Sequence, residues 1–275
     1  MDESGSDDSR SGQDDSEDVE AFAAVARAAA TDAGAYLRER FEDGRLEAEY
    51  TAGDVKTAAD RGAERRVLAV LREAYPGHAV RAEESGHHES NGTCEGDYCW
   101  VVDALDGTNN FAAGVPTFGV AVTLLEAGDP AVTAVAVPVL ADTYIARRGG
   151  GVTYNGRRVT ASDGDSVPPS HATVASVIGA PVLADDALSD RHREQVRAVR
   201  GVCKRVVETW APVVYWGLLA RGRVDGYVAF HPDEREQAAG ELLAGEAGCY
   251  RRDDGPLTAF ARDERTLATL WDALR

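Results

Sequence analysis

The run from Trp100 to Phe111, Trp-Val-Val-Asp-Ala-Leu-Asp-Gly-Thr-Asn-Asn-Phe, constrains this chain more than any other stretch. Its apolar start, Cys99 to Val102, suits a buried strand. Asp103, Asp106, Gly107 and Thr108 then suit a turn leading into a helix N-terminus. Two carboxylates at the mouth of a buried strand repel each other and are costly to bury. A cation removes that cost, and oxygen ligands of this kind favour Mg²⁺, Mn²⁺ or Ca²⁺ over soft metals. Gly107 and Thr108 add main-chain N–H groups and a hydroxyl beside such an ion, which favours a phosphate. The competing reading is an ordinary Asp-Gly turn after a strand. Phosphatases with an Asp-x-Asp nucleophile are a separate case, and the spacing argues against them because the second acid would fall on Leu105.

A chain of 275 residues can bury one large core or two lobes. Its net charge of −18 argues against the basic surface that a nucleic-acid polymer requires. Lys56 and Lys204 are the only lysines. Acid-rich, lysine-poor composition fits a salt-loaded, halophilic cytosol, where screening tames self-repulsion; a GC-rich genome is the alternative source of the Lys-to-Arg bias. No apolar run approaches membrane-spanning length, and acids rather than a basic signal region follow Met1. The sequence therefore predicts a cytoplasmic protein without membrane contact. Four cysteines (Cys94, Cys99, Cys203, Cys249) are too few for a disulfide framework and lack a zinc spacing, so free thiols are expected.

Residues 1–18 are nearly all Asp, Glu, Ser and Gly and predict a disordered acidic tail. Helical spacing predicts a first helix over Val19–Phe41 and a second from Thr57 to Pro76. His78–Ala82 reads as a strand delivering Glu83 and Glu84, and Gly86–Asp97 as a polar loop. Hairpin patterns follow at 118–139 and 143–159. The Asp-Gly-Asp-Ser-Val-Pro-Pro stretch from Asp163 marks a boundary between an N-terminal α+β lobe (19–165) and a C-terminal α/β lobe (166–275). Beyond it strands (172–178, 202–207, 224–230) alternate with helices (186–199, 209–220, 236–247), and a last helix spans 263–274.

Five ordered segments carry a resemblance. Trp100–Phe111 is similar to the Trp-Val-Asp-Pro-Leu/Ile-Asp-Gly-Thr-x-Asn-Phe signature of the lithium-sensitive, magnesium-dependent inositol monophosphatase and fructose-1,6-bisphosphatase-like family, with Ala104 for the usual Pro. Glu83-Glu84-Ser85 resembles its Glu-Glu-Ser, and Asp54 to Asp60 its Asp-x-x-Thr-x-x-Asp. Ala146 to Gly156 resembles its Ala-x-x-Gly-x-Gly-x-x-x-Asn-Gly, and Ala238-Ala239-Gly240 with Glu246-Ala247-Gly248 its Ala-Ala-Gly…Glu-Ala-Gly helix.

The resemblance implies an α/β (α+β) fold, a layered α-β-α-β-α sandwich with the metal site between the lobes. It implies two or three Mg²⁺ ions, with Mn²⁺ as a substitute, held by Glu83, Asp103, Asp106, the carbonyl of Leu105 and Glu236. Thr108, set against Asp60 or Glu84, would orient and deprotonate the attacking water. Gly107, Thr108, Asp106 and Thr209 would bind substrate, a small sugar or polyol phosphate ester of the inositol monophosphate or fructose 1,6-bisphosphate type. It also implies a homodimer. A nucleotide 3′-phosphatase and a non-catalytic metal- and phosphate-binding relative are the competing functions.

Some positions depart from the pattern. Arg235-Glu236 stands where the family carries Trp-Asp, so the carboxylate is kept with one more methylene; Asp233 or Glu234 is an alternative ligand. Ala229 stands where inositol monophosphatases place a Glu on a substrate hydroxyl, and Trp210 where a small residue is usual, narrowing the sugar pocket.

Overall fold

The computed structural model describes residues 11–44, 48–51, 54–83, 86–88 and 98–275. Helix α1 (Ser11–Glu42) starts at Ser11 rather than at the expected Val19. Of the expected acidic tail, residues 1–10 lie outside the described part.

Strands β1 (Ala48–Thr51) and β2 (Asp54–Thr57) pair as a short ribbon before α2 (Ala58–Ala74). Then come β3 (Ala79–Ala82), β4 (Gly86–His88), β5 (Tyr98–Asp106), α3 (Thr108–Ala112), β6 (Gly119–Glu126), β7 (Asp129–Val137), β8 (Asp142–Arg147), β9 (Gly151–Tyr154) and β10 (Arg157–Val159). They form an eight-stranded sheet in the order β10-β9-β8-β7-β6-β5-β3-β4. The remainder comprises β11 (Thr173–Ile178), α4 (Ala180–Ala184), α5 (Asp186–Val202), β12 (Arg205–Glu208), α6 (Pro212–Ala220), β13 (Gly226–Phe230), α7 (Glu234–Glu246), β14 (Tyr250–Asp254), β15 (Leu257–Ala261) and α8 (Glu264–Leu274). Its five strands form a second sheet, β12-β11-β13-β15-β14.

Period-two burial explains the layering. In β6 and β7, Val120, Val122, Leu124, Val132, Ala134 and Ala136 pack under α1 and α2. Their alternates Ala121, Val135 and Val137 face α6 and α7. Strands buried on both faces must be covered on both. In the second sheet Tyr227 and Ala229 face the same central helices, while Val228 and Phe230 turn outward to Leu267, Leu270 and Trp271 of α8. The result is α1/α2, sheet, α6/α7, sheet, α5/α8, the five-layer α-β-α-β-α sandwich expected from the resemblance. The central layer is tight because α7 carries Gly240 against Trp216 of α6; a Cβ there would overlap the indole ring.

Several local readings differ from the expectation. The polar loop 86–97 contains β4, and the pair β14 and β15 was not anticipated. Strand β14 (Tyr-Arg-Arg-Asp-Asp) is an exposed edge with no apolar alternation to read. Cys203 and Cys249 are free thiols as expected, but Cys99 is disulfide-bonded, which corrects the all-thiol expectation. Among the described residues no helix is long and apolar enough to cross a membrane.

Candidate active site

Strand β5 was expected to stop at Val102, yet it continues to Asp106 through a bulge. Asp103 pairs with Ala121 and Asp106 with Gly119, three steps on β5 against two on β6. In a regular strand residues three apart point to opposite faces; the extra residue re-aims one of them. Both carboxylates thereby reach the same side. Oxygen atoms of Asp103, Asp106 and Glu236 lie within 4.8 Å of one another. Glu236 arrives from the first turn of α7, so its extra methylene does not keep it from the cluster.

Each acid is held by the main chain. The N–H of Leu105 donates to Asp103 Oδ1 at 3.1 Å, and the N–H of Val213 donates to Asp106 Oδ2 at 2.8 Å. Val213 lies in the first turn of α6, so Asp106 also satisfies a free N–H at the start of that helix. Asp106 Oδ1 is buried and has no hydrogen-bond partner among the described residues. A buried carboxylate oxygen without a donor is costly unless a ligand or ion meets it. Burial, reinforced by Glu83, pushes the Asp103 carboxyl up to about 8. Burial and the neighbouring acids likewise raise Asp106 and Glu236 well above the carboxylate range. A divalent cation among three such oxygens fits the donor set.

The other expected residues fall into place unevenly. Leu105, Gly107 and Thr108 line the same cleft of about 170 Å³ as the three acids. Gly107 sits at φ 89°, and a Cβ there would meet Ala211 Cβ at 3.0 Å and two carbonyl oxygens at 3.2 Å. Gly107→Ala is therefore expected to cost about 2 kcal/mol or more, read as a lowered unfolding midpoint in urea. Thr108 Oγ1 stands 2.9 Å from Asp60 Oδ1 and 3.0 Å from the Leu105 carbonyl, its single proton shared between them. Asp60 Oδ2 accepts from the N–H and the hydroxyl of Thr57, each at 2.6 Å, in the capping box of α2.

Glu83 lines the cleft, but its Oε2 faces Arg235 Nη1 at 3.5 Å instead of joining the three acids. Arg235 is anchored on Asp233, which accepts from its Nε at 3.0 Å and Nη2 at 3.1 Å. Asp233 is thus the cap of α7 and Arg235's partner. Thr209 is not among the residues lining the cleft, where substrate binding was expected of it; its hydroxyl accepts from the N–H of Ala211 at 3.1 Å, a local turn bond just before α6. Glu84 lies outside the described residues. The sequence reading missed the opposite wall, formed by Ile178, Gly179, Ala180 and Leu183. Its signal was the C-terminal end of parallel strand β11, where ligands of open α/β sheets gather.

Five layers with an acid-lined cleft between the two sheets are the fold shared with solved inositol monophosphatase-like structures. The chain belongs to the inositol monophosphatase family, whose sequence profile matches residues 18–270. A Nus factor SuhB of Pseudomonas aeruginosa is 36% identical over 204 residues, 73% of this chain and 72% of that protein. A fructose-1,6-bisphosphatase/inositol-1-monophosphatase of Aquifex aeolicus is 30% identical over 241 residues, 84% and 85% of the two chains. The crystal structure of the extragenic suppressor protein suhB from Bartonella henselae shares the fold, with a TM-score of 0.80 and 24% identity, covering 91% of this chain and 97% of that one. Family membership supports phosphatase chemistry.

Proposed function

We propose that this protein is a Mg²⁺-dependent phosphatase that hydrolyses small sugar or polyol phosphate monoesters, of the inositol monophosphate or fructose 1,6-bisphosphate type. The observation that carries this reading is the cluster of Asp103, Asp106 and Glu236, with its donorless Asp106 Oδ1, beside the Gly107-Thr108 turn. Those three acids, the Leu105 carbonyl and Glu83 would hold the cation or cations. A bound divalent ion supplies charge neutralisation at the phosphate and acidifies water.

The chain's own groups do the rest. Gly107 and Thr108 would present main-chain N–H groups to the phosphate oxygens. Thr108 Oγ1 accepts a proton of the attacking water while its own proton lies toward Asp60 Oδ1. Asp60, fixed by two donors from Thr57, is oriented to take that proton. Glu84, next in sequence to Glu83, is the second candidate base. Phosphoryl transfer asks mainly for positioning and charge stabilisation, which such a rigid cluster can provide. A homodimer and a cytoplasmic location belong to the same proposal, on the strength of the family likeness and the acidic composition.

A second reading is a protein that binds metal and phosphate without turnover. The Arg235–Glu83 pair inside the cleft favours it, as do relatives named Nus factors. One experiment separates the two: phosphate release from inositol 1-phosphate, fructose 1,6-bisphosphate and AMP, in molar KCl, with Mg²⁺, Mn²⁺ and Li⁺ varied. The first reading expects Mg²⁺-dependent release that lithium depresses. Metal binding by calorimetry with no release from any ester would favour the second.

A further inference from the structure

Among the described residues, six charged side chains line the cleft: the acids Glu83, Asp103, Asp106, Asp233 and Glu236, and the cation Arg235. The guanidinium is held in place. Asp233 Oδ1 accepts from Arg235 Nε at 3.0 Å and Oδ2 from Nη2 at 3.1 Å, a two-pronged pairing that fixes the plane of the group. Asp233 is fixed in turn, because its Oδ1 also accepts from the Arg235 main-chain N–H at 2.8 Å as the N-cap of α7. The third nitrogen, Nη1, is left facing Glu83 Oε2 at 3.5 Å.

Glu83 therefore has a counter-charge that belongs to the fold. A divalent ion bound to Glu83 would sit within contact range of the guanidinium, two charges against one in a partly buried cleft where water screens them weakly. Arginine stays protonated, so this repulsion is not relieved by loss of a proton. Asp103 and Asp106 stand differently. They accept from neutral main-chain N–H groups, those of Leu105 and Val213, and keep their charge available to an ion. With Glu236 they already bring three carboxylate oxygens within 4.8 Å of one another.

We propose that Arg235 is a positioning residue that stands in for a second metal ion: it neutralises Glu83, and the cleft holds one divalent cation, on Asp103, Asp106 and Glu236. The inference deepens the metal-dependent reading above and rests on its cation site, and it narrows the ligand set by assigning Glu83 to Arg235.

The test counts Mn²⁺ bound per chain, by equilibrium dialysis and calorimetry, in the parent and in Arg235→Gln, Arg235→Lys and Glu83→Gln. One ion is expected in the parent, and one in Arg235→Lys, which keeps the charge. In Arg235→Gln the repulsion is gone, and a second ion is expected to bind on the order of 100-fold more tightly than in the parent, which brings it into the millimolar range. An arginine that only anchored the start of α7 would lower the melting temperature on substitution and leave the count at one. Two ions in the parent, or a folded Arg235→Gln that still binds one, overturns the inference and leaves the phosphatase reading standing. A parent that binds no Mn²⁺ overturns both. If Arg235→Gln does not fold, Glu83→Gln decides: a retained single ion supports the assignment of Glu83 to Arg235, and loss of that ion overturns it.

Discussion

Asp103→Asn is expected to lower Mg²⁺-dependent phosphate release by about 1,000-fold or more while raising the stability of the metal-free protein at pH 8. The two arms have one cause. Asp103 is buried in a cluster with Asp106 and Glu236, and burial together with Glu83 raises its carboxyl while Arg235 only partly opposes them. Asn preserves the shape and the Oδ1 acceptor for the Leu105 N–H, which holds the bulge. It removes one ligand charge, and several kcal/mol of lost charge stabilisation is about three decades in rate. It also removes a charge that the metal-free fold must otherwise bury next to two others. Phosphate release and thermal melts in chelator read the two arms on one preparation. A general folding defect would lower both, so lost activity together with a lower melting temperature would count against this account.

Much of the candidate site was legible because its centre is contiguous. Asp103, Asp106, Gly107 and Thr108 fall within six consecutive positions, and the chemistry of two nearby carboxylates, a glycine and a hydroxyl reads without a fold. The family likeness brought in Asp60 and Glu236, which lie far off in sequence, and the structure places both beside that centre. The bulge was not legible. Apolar alternation ends at Val102, whereas pairing with β6 carries β5 on to Asp106. The Arg235–Glu83 pair depends on where a long side chain comes to rest, which residue type does not decide. The apolar wall likewise needed α4 and the β12–α6 connection brought together in space. The layers were readable for the opposite reason: the central parts of β6 and β7 and all of β13 are buried on both faces and mostly apolar, and only covered sheets tolerate that.

The same three carboxyls predict how metal-free stability depends on pH. Asp103, Asp106 and Glu236 are all raised in the folded protein, so the fold binds protons there that the unfolded chain has released. Stability from such groups is fully present below their ordinary values near 4 and is lost as pH rises through the folded values, about 8 for Asp103. Each unit of displacement is about 1.4 kcal/mol, so the loss between pH 4 and pH 8 is on the order of several kcal/mol. Asp233, which Arg235 holds below its ordinary value, acts in the opposite direction at low pH. Comparing the protein with and without Mg²⁺ at each pH cancels such contributions. A cation binds only the ionised cluster, so its stabilising effect is expected to be small at pH 5 and to grow to about 10 °C in melting temperature at pH 8. In Asp103→Asn that growth shrinks, because one of the three displaced carboxyls is gone. Equal protection by Mg²⁺ at both pH values would mean that the acids do not share a cation, and the site would have to be sought elsewhere.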